Sequence, residues 1–352
     1  MIKSFLLDRQ FRVVLGGCSS SYHKINAGVP QGSVLAPTLF LLNINDLLQI
    51  TRNSIHSYAD DSTLHHSFSF HSPPSLPNVL HKREQAFSSI NNDLITISQW
   101  GYKNRISFNP NKSQYIVFTN RTTNIQSSIQ FMNSTIDNST SINILGVKLK
   151  KNLSWTDHIL NIYKTASQKL GLLYKTRPYF TDSQLLKIYK SHIRSQVEYC
   201  SPVWDGGGFV ALGLLDKIQN RAIRLIDNTN ITDNIPSLKL RRDIASLSLF
   251  YRYYHHQSSD EIHSIVPPNT EPRRITRHTS AMHRFSVTPP PTPRTSSFKN
   301  SFIPKVVNLW NSLSSTMLSY LKRGATDTCF LWGHTLLYRE LHFIIILSLP
   351  LL

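Results

Sequence analysis

"HSYADDSTLH", residues 56–65, sets Asp60 and Asp61 side by side behind Tyr58 and Ala59, between two short apolar–polar alternations. The alternations predict strands over "SIHSY" and "STLHHSF", with the Ala-Asp-Asp bend at the tip of a hairpin. Adjacent carboxylates repel, so a rigid tip that holds two of them has a use for a cation. The plainer reading is a β-turn with two solvated side chains, because aspartate favours turns. The sharper one is Mg²⁺ (or Mn²⁺), a hard cation bound through one or two carboxylates plus substrate phosphates. Two such ions about 3.5–4 Å apart can activate an attacking hydroxyl and stabilise a departing pyrophosphate.

The flanking sequence bears on that choice. Upstream, "GVPQGSVLAP" places Gly28, Pro30 and Gly32 around Gln31. Glycines there let a backbone approach a flat base, and Gln31 can hydrogen-bond polar edges; an ordinary loop leading into a helix is the plainer alternative. The helix that follows, about 33–48, is strongly apolar and is expected to be buried on most sides. Before the loop, "FRVVLGGCSSSYHKINAG" reads as a hairpin. Downstream, Phe87, Ile90, Leu94, Ile97 and Trp100 recur at helical spacing, and "SQYIVFT", "SIQF" and "INILGVKL" read as strands. Lys112 stands at the mouth of the first of these, where an ammonium could protonate a leaving phosphate or simply be solvated.

After Trp155 the pattern turns helical. Ile159, Ile162, Ala166, Leu170 and Leu173 stripe one helix, and Leu185, Tyr189 and Ile193 a second. In a third, Leu214, Ile218, Ala222 and Leu225 oppose Lys217, Arg221 and Arg224. From Pro267 to Arg294 the chain is rich in Pro, Arg and Thr and reads as an extended basic linker. A short amphipathic piece, "FIPKVVNLWNSL", and an apolar tail follow. The fold class is therefore α+β: a mixed part over 1–150, a helical part over 151–265, a linker over 266–300 and a final segment over 301–352.

The 352 residues carry 38 Lys plus Arg against 20 Asp plus Glu, a net charge of +18. With a pI near 9.9, a polyanion is the expected partner, and nucleic acid ahead of a membrane surface. Cys18, Cys200 and Cys329 are too scattered for a disulfide framework or a zinc knuckle, which fits a reducing, intracellular setting in nucleus or cytoplasm. The opening residues do not read as a signal peptide, and the apolar tail is shorter than the roughly 20 residues a membrane span requires.

Taken in order, "GVPQGSVLAPTLFLLNINDL", "YADD", "NKSQYIVFT" and "INILGVKLKKNLSW" resemble the reverse transcriptase of non-long-terminal-repeat retrotransposons of the jockey or CR1 type. The resemblance runs through "IRSQVEYCSPVWDG" and "KIQNRAIRLI" to about residue 318; residues 319–352 match nothing familiar. It implies a right-hand polymerase palm and a helical thumb, acting on an RNA template, a DNA primer and deoxynucleoside triphosphates with Mg²⁺ or Mn²⁺. By motif, Asp60 and Asp61 would be the metal-binding pair, with Tyr58 and Ala59 beside the primer end. Gln31 and Gly32 would lie near the templating base and incoming nucleotide. Lys112 would protonate pyrophosphate, and Leu145 and Gly146 would belong to the primer-grip strand. Lys217, Arg221 and Arg224 would face the phosphate backbone, or else form a solvated helix face.

The two-ion mechanism needs a further carboxylate from another strand, which in the family precedes the region resembling "IKSFLLDRQFRVV". Asp8 does not replace it, because "DRQ" reads as a helix end leading to a strand. The expectation is a truncated polymerase, inactive alone. A nucleic-acid-binding remnant without chemistry, or a translated retroelement fragment without selected function, are the alternatives.

Overall fold

In the computed structural model, residues 2–68, 75–118, 128–269, 283–291, 295–314 and 343–350 are described. The chain forms two compact units: residues 1–140 with 342–352, and residues 141–341. Helices combine with small antiparallel sheets, so the α+β class holds.

The first unit opens with helix α1 (Ile2–Leu6) and a two-part hairpin. Strand β1 (Arg9–Phe11) pairs with β4 (His23–Ile25), and β2 (Val14–Leu15) with β3 (Cys18–Ser19). Helix α2 (Ala36–Ile44) begins with a proline in its first turn, where a missing N–H costs nothing. It departs from the expectation of burial: Leu41 and Leu42 are 51% and 67% exposed, and only Ala36 and Ile44 are buried. Among the described residues nothing covers its outer face, so apolar composition alone misjudged it.

Strands β5 (Ser54–Tyr58) and β6 (Asp61–Phe68) form the expected hairpin. The 29-residue helix α3 (Leu76–Asn104) lays its stripe on the sheet, with Phe87, Ile90, Leu94, Ile97 and Trp100 all buried against Ile55, Leu64, Tyr115 and Val117. A buried carboxylate fixes the entrance to the hairpin. Asp93 on α3 accepts the backbone N–H groups of Arg52 (3.0 Å) and Asn53 (2.8 Å) and the Asn53 side-chain amide (2.7 Å). These charge-assisted bonds tie β5 to α3 and so aim the aspartate tip.

Strand β7 (Gln114–Phe118) follows, then the small hairpin of β8 (Ile129–Phe131) and β9 (Ser134–Ile136). The main sheet has the order β5-β6-β12-β7, where β12 (Phe343–Pro350) is antiparallel to both neighbours. Part of the tail expected to be unrelated to the fold is thus an interior strand of it.

The second unit starts with the hairpin of β10 (Ser141–Ile144) and β11 (Val147–Lys150). The division falls at 140/141 and not at 150/151, because this hairpin is tied to helix α4 (Thr156–Thr176). Val147 enters the helical core, Lys150 pairs with Asp157 at 2.9 Å, and the Lys148 N–H donates to His158 Nδ1 at 3.3 Å. Helices α5 (Asp182–Ile188), α6 (Ser195–Glu198), α7 (Ser201–Trp204), α8 (Phe209–Ile226), α9 (Thr229–Thr232), α10 (Leu238–Tyr254) and α11 (Asp260–His263) follow. Helices α12 (Ser296–Lys299) and α13 (Phe302–Asn311) end the described part of this unit. Every apolar stripe residue read from α4 and from the 185–193 segment is buried.

Within the stretch expected to be an extended linker, residues 270–282 and 292–294 lie outside the described residues, while 283–287 are packed. His283, Ser286 and Val287 are buried; the Trp310 indole donates to the Phe285 carbonyl at 2.7 Å, and the Asn311 amide to the Val287 carbonyl at 2.8 Å. Aromatic partners on α10 and α13 outweigh the loop-like composition there.

Candidate active site

Tyr58 pairs with Asp61 across the ladder, so the hairpin closes through a two-residue turn of Ala59 and Asp60. Ala59 has φ of 51°, a left-handed conformation that costs a residue with a Cβ about 1 kcal/mol or more relative to glycine. Ala59→Gly is therefore expected to raise stability by about 1 kcal/mol in urea unfolding, offset in part by glycine's greater unfolded-state entropy. Below the turn, Ser57 and the buried Ser62 share a hydrogen bond of 2.7 Å that pins the two strands.

Tyr58, Asp60 and Asp61 are all exposed. The Asp61 carboxyl is held above its ordinary range, first by partial burial and then by repulsion from Asp60. An anion destabilised in this way gains most from a cation. The same hairpin face carries His56 and His65, whose rings stack at 5.1 Å with planes 9° apart. Burial, and then the neighbouring His56 and His65's other neighbour His66, lower His65 to about 4, so it is neutral at physiological pH.

The glutamine loop has a defined turn. The Ser33 N–H donates to the Pro30 carbonyl at 3.3 Å, and Gly32 has φ of 84°, which places Gln31 exposed at the corner. Positive φ at the third position of such a turn calls for glycine, and a Cβ added to Gly32 would touch nothing within 4 Å, so conformation and not space is the reason. Arg9 fastens the loop from outside, donating to the carbonyls of Ala27 (3.1 Å) and Gly28 (2.6 Å). The sequence gives no local sign of that anchor.

Lys112 ends the short 3-10 turn Pro110–Lys112 that leads into β7, and is exposed. Strand register relates it to the aspartates: Ser348 of β12 faces both Thr63 of β6 and Gln114 of β7. Asp61 and Lys112 each lie two residues earlier than those partners. They therefore stand at the same end of the sheet, about two strand spacings (roughly 10 Å) apart at the backbone.

Two expected groups lie in the other unit. Leu145 and Gly146 are not in a continuous strand: they are the two-residue turn between β10 and β11, with φ of 47° and 80°. Positive φ at both central residues matches the right-handed twist of a tight hairpin. The Tyr199 hydroxyl donates to the Leu145 carbonyl at 2.9 Å, a contact 54 residues distant that sequence spacing could not disclose. Lys217, Arg221 and Arg224 line the exposed face of α8, opposite buried Leu215, Ile218, Ala222 and Leu225. Leu214 is only half-buried. Among the described residues, none of the three cations forms an ion pair within 4 Å.

Among the described residues, no three His, Cys, Asp or Glu side chains gather to hold a metal ion. Asp61's partners across the ladder are Tyr58 on one side and Pro350 on the other. The donor chemistry of Asp60 and Asp61 fits one side of a divalent-ion site. Nor is any described helix long and apolar enough to cross a membrane.

Residues 1–149 match the family model for reverse transcriptase (RNA-dependent DNA polymerase). This stretch, which holds the aspartate tip, the glutamine loop and Lys112, is thus similar to reverse transcriptases, a family that generally uses divalent metal ions. The chain is also similar to polymerases of non-long-terminal-repeat elements. It is 27% identical over 232 residues to the RNA-directed DNA polymerase from mobile element jockey of Drosophila funebris, covering 64% of this chain and 24% of that protein. Against the Drosophila melanogaster jockey polymerase the identity is 29% over 233 residues, 62% of this chain and 23% of the relative. A probable RNA-directed DNA polymerase from the X-element transposon of Drosophila melanogaster is 24% identical over 294 residues, 79% of this chain and 31% of the relative. The chain thus spans about a quarter to a third of the length of these relatives. No solved structure matches it.

Proposed function

We propose that this chain carries part of an RNA-directed DNA polymerase active site: residues 1–140 supply part of a palm, and the helical unit serves as a thumb. The observation that carries this reading is the exposed Asp60–Asp61 pair at a strained hairpin tip, with Lys112 at the same end of the sheet. When bound there, Mg²⁺ or Mn²⁺ would neutralise phosphate charge and activate the primer hydroxyl. Asp60 and Asp61 would hold the ion, and Gln31 would meet the base edge. Lys112 would deliver a proton toward the departing pyrophosphate. The substrates on this reading are an RNA template, a DNA primer and deoxynucleoside triphosphates.

The pair supplies only half of such a cradle, since its ladder partners Tyr58 and Pro350 offer no carboxylate. The chain by itself is therefore expected not to extend a primer. Fused behind the preceding portion of the Drosophila melanogaster jockey polymerase, it should do so with Mg²⁺. Asp60→Asn or Asp61→Asn should then remove extension. Unaided extension by the isolated chain would overturn the half-cradle reading, and extension surviving both substitutions would overturn the site.

A binding role without chemistry is favoured by one further observation, the exposed cationic row on α8. Phosphate contacts release counterions, so binding of an RNA–DNA duplex should fall steeply with salt. Replacing Lys217, Arg221 and Arg224 with alanine should reduce the slope of log K against log salt by about 2–3. A slope unchanged by the triple substitution would show the row to be merely solvated.

A further inference from the structure

Strands β6 and β7 are both antiparallel to β12 and hence parallel to each other, and α3 connects them. This is a β-α-β crossover with a gap of one strand, a split unit that needs an antiparallel strand from elsewhere. Residues 343–350, "FIIILSLP", supply it: eight uncharged residues paired along their length to β6 and over five positions to β7. Tyr115, Ile116, Val117 and Phe118 of β7 are all buried, although β7 ends the sheet order. Apart from β12, β7 is joined by only a single bridge, Tyr115 to Asn138, among the described residues. Without β12 the hairpin that bears the aspartates and β7, the strand that follows Lys112, would share no ladder hydrogen bonds among the described residues.

The register adds a consequence for the site. β12 runs toward the aspartate tip and ends with Pro350 opposite Asp61. A proline has no N–H to continue the ladder and no ligand atom in its side chain. It occupies the lattice position beside Asp61 from which a neighbouring strand would present a third carboxylate.

We propose that residues 343–350 are an intramolecular strand plug: they fill the open position of the split unit, join the two halves of the candidate site, and close the side of the Asp60–Asp61 pair to any other strand. The first two parts stand on topology alone; the third rests on the polymerase reading. The full chain with Cys18 and Cys329 changed to serine would carry Thr63→Cys and Ser348→Cys, whose backbones lie within disulfide reach. Mild oxidation is expected to give a cross-link within one chain, and Thr63→Cys with Leu349→Cys, on opposite faces, none. No cross-link in the first pair, or one that joins two chains, would overturn the plug.

Pro350→Asp reads the third part. It should tighten Mn²⁺ binding about tenfold over the unsubstituted chain, and Asp60→Asn with Asp61→Asn should cancel the gain. Unchanged binding beside an intact Thr63–Ser348 cross-link would refute the closing role while leaving the strand assignment in place. Loss of all Mn²⁺ binding in the unsubstituted chain would instead count against the polymerase reading.

Discussion

Asp205→Ala is expected to destabilise the helical unit by about 3–5 kcal/mol, the largest effect of any single substitution considered. Asp205 at the end of α7 is buried, and Arg242 of α10 donates to it from a side chain equally buried. Lys305 of α13 completes the set, pairing with Asp205 and, at 3.3 Å, with Asp243. Three helices distant in sequence thus meet on one carboxylate. Removing it leaves the Arg242 guanidinium in the interior without its counter-charge, whereas Lys305, partly exposed, can turn toward water. Asp205→Leu combined with Arg242→Met should recover most of the loss, because an apolar pair of similar volume avoids desolvating ions. Urea unfolding followed by tryptophan emission reports chiefly on this unit, which holds Trp155, Trp204 and Trp310. A cost below about 1 kcal/mol would mean that the network is solvated.

Acidification is the second large effect. His158 is buried, with Trp155 and Trp204 edge-on at 6.4 and 6.0 Å, and burial lowers it to about 4 from 6.5. Its Nδ1 accepts the Lys148 N–H, so a proton there would set donor against donor. The unfolded chain binds that proton near pH 6.5 and the folded chain only near 4. Stability is therefore full above about 6.5 and is lost as pH falls through that window. The shift corresponds to at most about 3 kcal/mol, and to roughly 2 once residual solvent screening is allowed for. His158→Phe should flatten the pH dependence of this unit between 6.5 and 4; an unaltered profile would contradict the assignment. His65 acts with the same sign in the first unit. Asp61 acts oppositely: its raised carboxyl makes the metal-free fold lose stability as pH rises above 3.8, so Asp61→Asn should stabilise that fold while weakening metal binding.

What was legible in the sequence follows physical range. The α3 and α4 stripes were visible because helical periodicity records burial locally, and the Asp60–Asp61 hairpin because alternation and turn chemistry do the same. The surroundings of the site were less so. Arg9 reaches the glutamine loop from 18 and 19 residues away, and Tyr199 fixes the Leu145–Gly146 turn from 54. Neither leaves a periodic mark. The "INILGVKL" run looked like one strand because leucine at position 145 conceals a turn that only Gly146 signals. Apolar content misled in opposite directions at α2, which is largely exposed, and at 343–350, which forms an interior strand. Composition records what a segment could bury, not whether a partner is there to cover it.

Divalent-ion binding by Asp60 and Asp61 is tested most directly by titrating Mn²⁺ into the full chain at neutral pH and counting free ion by electron paramagnetic resonance. A saturable site is expected, weakened at least about tenfold in the Asp60→Asn/Asp61→Asn variant with unchanged circular dichroism, because affinity follows the number of charged ligands. Equal binding by both proteins, or none by the unsubstituted chain, would contradict it.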